Sequence, residues 1–336
     1  MKQIKLLGIP FSAGQPLSGV DQAPEIFRKE LSSSHEIVDL GDLDFSLCGE
    51  RSTGIIKNER ICGLGNALIS EAIASENLTD SFLLNIGGDH GIALGTIHGL
   101  LHHHPDLVVV WVDAHGDINT PHSSTSGNFH GMPLSFLING CQGREDFAWL
   151  RKRLAPERLI YMGPRDLDQE EKSIIEESGI QYYSSEDINK YGVEVLLKHA
   201  LRAADPLGKS RIHLSFDVDV FDETDVAATG TRVKDGPRKS EILKLASLLG
   251  DTGRLQSMDL VEVNPELGST ETMKETIDLA LEFTHSALSH LLVKVLQKSR
   301  DTAPLFLDSS NVQCQVQKKY YQLHYSLEPF GHLCHL

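Results

Sequence analysis

Short apolar segments alternate with helical segments along most of this 336-residue chain, and this alternation constrains its fold more than any other feature. The apolar segments are mostly continuous, which is typical of strands buried on both faces of a parallel sheet. The predicted strands are Ile4–Gly8, Glu36–Leu40, Phe82–Ile86, Leu107–Val112, Arg158–Met162, Ile180–Tyr183, Ile212–Phe216 and Leu255–Leu260. The helices predicted between them include Pro24–Leu31, Ile92–His103, Gln169–Glu177, Val193–Ala204, Ser240–Leu249 and Glu271–Leu296. The fold class is therefore α/β, with helices flanking a mostly parallel sheet.

Acidic residues and histidines follow three of the predicted strands, in the clusters Gly87–His90, Asp113–Asp117 and Ser215–Asp219. An open α/β sheet places its binding site beyond the carboxyl ends of its strands. Imidazole and carboxylate ligands without thiolate suit a divalent cation such as Mn²⁺. The candidate ligands are His90, Asp113, His115, Asp117, Asp217 and Asp219. Because six ligands exceed the needs of one four-coordinate site, they predict two bridged metal ions, the usual arrangement for metal-assisted hydrolysis.

Each cluster taken alone also has a structural interpretation, because an aspartate after a strand often caps a turn. The combination favours metal binding. Alternate residues of an extended segment point the same way, so Asp113, His115 and Asp117 share one side, as do Asp217 and Asp219. No lysine or arginine stands among them. The carboxylates would therefore repel one another unless a cation lay between them.

Composition narrows the classes of partner. The net charge of −16 argues against nucleic acid and anionic membranes as partners, and an acidic field favours a cationic substrate. A hydrophobic content of 40% is sufficient for a large core, and no apolar run approaches the roughly 18 residues of a membrane span. The cysteines, at positions 48, 62, 141, 314 and 334, are odd in number and lack metal-site spacing. With no signal-peptide-like segment at the start, these features predict a cytoplasmic protein.

Several motifs resemble those of the ureohydrolase superfamily, and within it those of arginases. The segment Trp111–Pro121 and its continuation Ser126–Gly131 are similar to the second metal motif of arginases, and the clusters at Gly87–His90 and Ser215–Asp219 to the first and third. Two further blocks, Gly8–Pro16 and Met258–Pro265, also agree, so the resemblance covers roughly residues 3–295. It implies one three-layer domain, residues 1–298, on an eight-stranded sheet. Residues 299–336 match no family block and form a C-terminal tail of unknown role, either a surface segment or an oligomer contact.

The resemblance implies manganese-dependent hydrolysis of L-arginine to L-ornithine and urea, a reaction of arginine metabolism and the urea cycle. A hydroxide bridging two Mn²⁺ ions would be the nucleophile, and the six candidate ligands would hold the ions. One alternative is a ureohydrolase that acts on another guanidino compound, of the agmatine or guanidinobutyrate type. The other is a non-catalytic arginase-like protein, which the complete set of six ligands argues against.

The resemblance also implies catalytic and substrate-binding residues. Glu262 would face the guanidinium group, and His130 would shuttle a proton to the leaving amine, which suits an imidazole that titrates near neutral pH. The residues implied to contact or support the substrate are Asn119, Ser126, Asn128, Asp166, Asp168 and Thr231. The first three match groups that bind the α-carboxylate, and Asp168 matches the acceptor of the α-ammonium group.

The chain departs from the family pattern at three places. Gly116 replaces a larger residue beside the ligands and is expected to add backbone freedom. The segment 222–236 lacks two prolines and a glycine of the family loop and gains Arg232, Lys234 and Asp235, so it is expected to be more mobile. Ser240 replaces an arginine that oligomeric arginases carry. A homo-oligomer remains the expectation, with a trimer plausible.

Overall fold

Eight strands form one sheet in which all neighbouring strands pair in parallel. The computed structural model describes residues 3–32 and 37–301. The strands are β1 (Gln3–Ile9), β2 (Ile37–Asp42), β3 (Ser81–Gly87), β4 (Val108–Val112), β5 (Leu159–Met162), β6 (Gln181–Tyr183), β7 (Ile212–Asp217) and β8 (Leu255–Val261). They lie in the order β2-β1-β3-β8-β7-β4-β5-β6. The predicted fold class is confirmed, and each strand end lies within two residues of the predicted one.

Nine helices of seven residues or more lie within the described residues. Eight stand between strands, and the ninth follows the last strand. They are α1 (Ala23–Ser32), α2 (Glu59–Ser75), α3 (Ala93–His103), α4 (Pro133–Asn139), α5 (Gln169–Ser178), α6 (Ser185–Tyr191), α7 (Val193–Ala204), α8 (Lys239–Asp251) and α9 (Thr270–Asp301). Helices α2, α4 and α6 were not among the predicted helices. Helix α2 contains Gly63 and Gly65, which lower helix propensity. Both glycines admit close neighbours, because a Cβ there would lie 2.4 Å from the Asp146 carbonyl oxygen and 2.6 Å from the Phe11 ring.

The two faces of the sheet bury separate apolar layers. Val108, Val110 and Val112 of β4 point into a core that contains residues of α1, α6, α7, α8 and α9. Val109 and Trp111 point the other way, into a core that contains residues of α2, α3, α4 and α5. Strand β4 is buried along its whole length. This double burial explains why its sequence is continuously apolar.

The compact unit that contains this sheet ends at Leu292, inside α9. The predicted tail, residues 299–336, lies outside the described residues apart from the last turn of α9. Cys48, Cys62 and Cys141 are free. No helix among the described residues is both long and apolar enough to cross a membrane.

A buried polar network crosses the middle of the sheet. Asp259 on β8 accepts hydrogen bonds from Asn85 Nδ2 at 2.7 Å and from Thr96 Oγ1 at 2.5 Å. His213 Nε2 lies 3.3 Å from the same carboxylate, and His213 Nδ1 is hydrogen bonded to Ser257 Oγ. Asp259 and His213 are fully buried. Burial opposes ionisation of Asp259, but His213 and the hydrogen bonds outweigh it and lower the pKa of the carboxyl group.

Removing the acceptor of this network should destabilise the fold. Asp259→Ala leaves His213, Asn85 and Thr96 buried without their partner and should lower the free energy of unfolding by about 3–5 kcal/mol. Equilibrium denaturation in the presence of a chelator measures this loss without a contribution from metal binding. Glu25→Ala, which removes an exposed pair with Lys29 on α1, is the control and should change stability little. A loss below about 1 kcal/mol would show that the network is not a main source of stability.

Candidate metal centre and active site

The loops after β3, β4 and β7 bring a first set of ligand atoms together. His90 Nδ1 lies 3.0 Å from Asp113 Oδ2, 3.1 Å from Asp117 Oδ2 and 3.2 Å from Asp217 Oδ2. The three strands carry these residues to one edge because β7 stands beside β4, and only β8 separates it from β3. One atom each from His90, Asp113 and Asp217 lies within 4.8 Å of the others, close enough to hold one ion.

A second set shares Asp113 with the first. His115 Nδ1 lies 3.4 Å from Asp113 Oδ1 and 3.1 Å from Asp219 Oδ2. These three residues form the second group that could hold an ion. Asp113 presents one oxygen to each histidine, which is the arrangement expected of a carboxylate that bridges two metal ions. The structure therefore brings all six predicted metal ligands into one cluster.

The chemistry of the first set suits a cation. His90 Nε2 is hydrogen bonded to Ser215 Oγ at 2.9 Å, which turns Nδ1 toward the carboxylates. Within the described residues, Nδ1 makes no hydrogen bond of normal geometry, although three carboxylate oxygens surround it. Trp111 stacks on the imidazole, with ring centroids 3.9 Å apart, and its Nε1 donates to Asp113 Oδ2 at 2.9 Å. The ligands are thus oriented by a second layer of contacts, as is usual in metal sites.

The protonation energetics also require positive charge in the cluster. Burial opposes protonation of His90, but its contacts with Asp113, Asp117 and Asp217 outweigh that effect and raise its pKa well above the usual range. Burial and the neighbouring carboxylate of Asp113 raise the pKa of Asp117 to about 6. Burial, with Asp219 and Asp113 nearby, also raises the pKa of Asp217 well above its usual range. Protons or divalent cations must balance these carboxylates, so the residues fit a metal pair.

Two site residues have left-handed backbone conformations. The φ angles are 49° for Asp117 and 61° for Glu262. Aspartate tolerates this region better than glutamate does, and such conformations in non-glycine residues often occur at functional sites. The Glu262 backbone N–H donates to the Gly88 carbonyl oxygen at 2.9 Å, which ties the end of β8 to the first ligand loop.

Glu262 and His130 form a direct pair beside the ligands. His130 Nδ1 donates to Glu262 Oε1 at 3.0 Å, and the same oxygen accepts from the His90 backbone N–H at 2.8 Å. Burial opposes protonation of His130, but the hydrogen bond and charge of Glu262 outweigh it and raise the pKa of His130 to about 9. Burial opposes ionisation of Glu262, but its partner lowers its pKa. The pair is therefore an imidazolium facing a carboxylate at neutral pH.

The residues expected to contact the substrate are hydrogen bonded to one another or lie beside the candidate ligands. Asn119 Nδ2 donates to Asp168 Oδ2 at 2.8 Å. The Asn128 backbone N–H donates to Ser126 Oγ at 3.1 Å. Thr231 and Asp166 lie beside metal-ligand candidates. Thr231 Oγ1 donates to Asp219 Oδ2 at 2.8 Å, and Asp166 Oδ2 lies 3.9 Å from His115 Nε2.

Asp168 also has a structural role that the sequence analysis did not assign. It is the N-cap residue of α5, where it accepts from the Glu171 backbone N–H, and the Glu171 side chain accepts from the Asp168 backbone N–H in return. This reciprocal capping satisfies two N–H groups at the helix start. Gly116 likewise has a packing role, because a Cβ there would lie 2.8 Å from Leu167 Cδ2 and 2.9 Å from Glu171 Oε1. Its φ angle is outside the left-handed region, so it does not supply special backbone freedom.

Four further residues contact the site without having been assigned a role. They are Ser215 and Trp111 behind His90, Lys57, and Arg165. Lys57 Nζ donates to Asn128 Oδ1 at 3.1 Å. Ser215 and Trp111 stand inside the metal motifs, so their place in the sequence indicated that they lie near the ligands. Nothing in the sequence indicated this for Lys57 and Arg165, because their partners are distant in the sequence.

The fold and the carboxylate-rich centre together define a class of protein, a three-layer α/β hydrolase that can hold a pair of divalent cations. The sequence profile of the Arginase family matches residues 2–289. Arginase-1 of Oryctolagus cuniculus is 37% identical over 295 residues, which cover 84% of this chain and 92% of that protein. The mitochondrial Arginase-2 of Homo sapiens is 39% identical over 298 residues, 84% of each chain. The crystal structure of Entamoeba histolytica arginase in complex with L-ornithine matches with a TM-score of 0.76 and 29% identity, covering 86% of this chain and 99% of that one.

The chain belongs to the arginase family, and the match extends over the whole sheet. It is therefore a hydrolase of that family. The resemblance inferred from the motifs is confirmed.

The shared position of Asp113 predicts an unequal effect of single substitutions on metal content. Asp113→Asn should abolish binding of both ions, whereas Asp219→Asn should leave about one of the two ions bound. Elemental analysis after Mn²⁺ loading and gel filtration measures the ratio of metal to chain. Asp251→Asn, at the exposed end of α8, is the matched control. Retention of two ions by Asp113→Asn would contradict the bridging arrangement.

Proposed function

We propose that this protein hydrolyses L-arginine to L-ornithine and urea with two Mn²⁺ ions per chain. The observation that supports this most is the position of the His130–Glu262 pair directly beside two ligand sets that share Asp113. A buried carboxylate next to a metal cluster adds to the repulsion there, so its presence needs a cationic partner. His130 is one such partner, at Oε1, and the guanidinium group of arginine would be a second.

The donor set supports manganese as the metal. Its ligands are carboxylate oxygens and imidazole nitrogens, which suit Mn²⁺ better than the softer cations that prefer thiolate. His90, Asp113, Asp117 and Asp217 would hold one ion, and Asp113, His115 and Asp219 the other. When bound, such a pair lowers the pKa of water and so supplies hydroxide at neutral pH.

Glu262 and His130 have complementary roles in this proposal. The Glu262 carboxylate binds the guanidinium and orients its central carbon toward the metal ligands. His130 carries a proton on Nδ1 at neutral pH because Glu262 raises its pKa. It can therefore donate a proton to the leaving amine, which would otherwise depart as a poor, strongly basic leaving group.

The other end of the substrate is recognised by the loop 119–128 and the start of α5. Ser126, Asn128 and Asn119 supply neutral donors for the α-carboxylate, which avoids the desolvation penalty of a second buried charge. Asp168 accepts from the α-ammonium group. Its hydrogen bond with Asn119 links the two recognition elements, so the carboxylate and ammonium sites keep a fixed separation. Asp166 and Thr231 support the rim near His115 and Asp219.

A cytoplasmic homo-oligomer completes the proposal. The free cysteines at 48, 62 and 141 are compatible with a reducing compartment. Ser240 stands where oligomeric arginases carry an arginine. Another arginine, Arg238, lies nearby, with its Nη2 3.9 Å from Glu241 Oε1 in the same chain. A trimer is the proposed assembly, and arginine metabolism, including the urea cycle, is the proposed setting.

Substitutions in the His130–Glu262 pair test the chemistry. Glu262→Gln keeps the shape but removes the charge, so it should lower kcat/KM about 10²–10⁴-fold with nearly unchanged metal content. His130→Asn should lower kcat about 10²-fold or more and change KM little, because proton transfer occurs in the transition state. Urea release from arginine measures both. Glu266→Gln, the same substitution four residues along the chain, is the control.

Activity of both variants at the level of the wild type would contradict the assigned roles. Loss of metal from Glu262→Gln would instead make the carboxylate a part of the metal site.

Substrate analogues test recognition of the α-amino acid group. Agmatine lacks the carboxylate and guanidinobutyrate lacks the ammonium group, so each loses hydrogen bonds to a charged group. Because Ser126 and Asp168 are exposed and Asn119 and Asn128 are half-buried, each analogue should be about 10–100-fold poorer than arginine in kcat/KM. Asp168→Asn should narrow the gap between arginine and guanidinobutyrate. This change is preferable to alanine because asparagine retains the N-cap of α5. Equal hydrolysis of agmatine and arginine would exclude arginine specificity and favour another guanidino substrate.

A further inference from the structure

We propose that Arg165 is a positioning residue that fastens the loop 222–236 and two ligand-bearing loops to one another through backbone carbonyl groups. Its effect on the metal ligands rests on the function proposed above. Its effect on the loop does not, and the two can be measured separately.

The guanidinium group of Arg165 donates hydrogen bonds to backbone oxygens of three segments. Its Nη1 donates to Val220 at 2.9 Å and more weakly to Gly163 at 3.4 Å. Its remaining acceptors are the carbonyl oxygens of Asp219 at 3.0 Å, Phe221 at 2.8 Å and Val233 at 2.9 Å from Nη2, and of Lys234 at 2.8 Å from Nε. The turn after β7 and the far arm of the loop 222–236 are thus held by one side chain.

The backbone of the same residue reaches a second ligand loop. The N–H groups of Arg165 and Asp166 both donate to the Ala114 carbonyl oxygen, at 2.9 and 3.0 Å. Ala114 stands between the ligand candidates Asp113 and His115. Arg165 therefore contacts the loop after β4 with its backbone and the loop after β7 with its side chain. Movement of Arg165 would change the separation of Asp113 and Asp219, which belong to the same ligand set.

The loop that Arg165 holds also contacts a ligand. Thr231 Oγ1 donates to Asp219 Oδ2, so the position of the loop affects the orientation of that carboxylate. Arg232 and Lys234 in this loop are exposed.

Other contacts hold the rest of the loop. Asp222 accepts from the backbone N–H groups of Gly236 and Thr224, and the Glu223 backbone N–H donates to the Val233 carbonyl oxygen at 3.1 Å. The backbone N–H groups of Ala227 and Ala228 donate to Thr276 Oγ1. Glu223 contacts Val233 and Lys234 from within the loop, whereas the hydrogen bonds from Arg165 to these two residues join the far arm to the ligand-bearing loops.

The chemistry of arginine suits this task. A guanidinium group offers five N–H donors in a rigid plane, whereas the lysine ammonium offers three donors around one atom. Within the described residues Arg165 lies in no ion pair, so all its donors face neutral carbonyl groups. Burial lowers the pKa of Arg165, and the nearby carboxylates of Asp219 and Asp113 oppose that effect.

Limited trypsin digestion of the metal-free protein tests the restraint on the loop. The unmodified chain should resist cleavage after Arg232 and Lys234 although both are exposed. Arg165→Lys keeps the charge and should raise the cleavage rate there at least about tenfold, because several hydrogen bonds to a charged donor are lost. Arg158→Lys is the matched control, since Arg158 donates to the Asp106 carbonyl oxygen at the opposite end of β5. Mass spectrometry of the fragments locates the cuts.

Metal titration tests the effect on the ligands. Arg165→Lys should bind Mn²⁺ about 10–100-fold more weakly than the unmodified chain and than Arg158→Lys. Relative to the unmodified chain, the activity of Arg165→Lys should be reduced strongly at low Mn²⁺ and less at saturating Mn²⁺. General destabilisation would not produce this dependence on Mn²⁺. Unchanged cleavage and unchanged Mn²⁺ affinity in Arg165→Lys would overturn the proposal. Rapid cleavage of the loop in the unmodified chain would also overturn it. Failure of the unmodified protein to bind Mn²⁺ would overturn the proposed function and leave the digestion result to decide the role of Arg165 on the loop.

Discussion

Mutual repulsion among buried carboxylates is the constraint on which the rest of the structure depends. Asp113 and Asp219 are fully buried, Asp217 and Asp117 are nearly so, and two histidines are the only ion-pair partners that the described residues supply. An uncompensated buried charge costs several kcal/mol. The carboxylates of the cluster therefore repel one another unless cations bind between them. Folding and metal binding are coupled for this reason, since the ions stabilise only the state that presents the assembled ligands.

The parallel sheet supplies the stability that this cluster lacks. Strands β3, β8, β7 and β4 are adjacent, are buried on both faces and end at the same edge. Beneath the ligands, Asp259 is satisfied by Asn85, Thr96 and His213, so the buried charge there is balanced by the protein itself. One end of the molecule thus has completed polar contacts, and the other has a surplus of negative charge. This division explains why backbone strain at Asp117 and Glu262 is tolerated: the sheet below determines where the strands end.

Local patterns predicted the elements and the ligands, but not the pairings between distant segments. Continuous apolar runs are short-range signals, so all eight strands were predictable, and carboxylates on alternate residues after a strand identified the six candidate ligands. The His130–Glu262 contact joins residues 132 positions apart, and nothing local in either segment predicts it. Helix α2 was not predicted because its glycines lower helix propensity. They are accounted for by close packing against Asp146 and Phe11, which a side chain would prevent. The N-cap role of Asp168 was predictable from Glu171, because a carboxylate three residues after an N-cap residue is typical of reciprocal capping.

The loop 222–236 is restrained by contacts with residues that are distant from it in the sequence. Proline restricts a chain before it folds and so acts partly through the unfolded state. A guanidinium clamp acts only after Gly163, Asp219 and Val233 have come together, because its acceptors belong to separate segments. Order in the loop then depends on the assembly of the whole carboxyl edge of the sheet. Since Thr231 in that loop donates to Asp219, the geometry of a metal ligand is tied to the same assembly step. Loop order and ligand geometry therefore become one cooperative property of this edge.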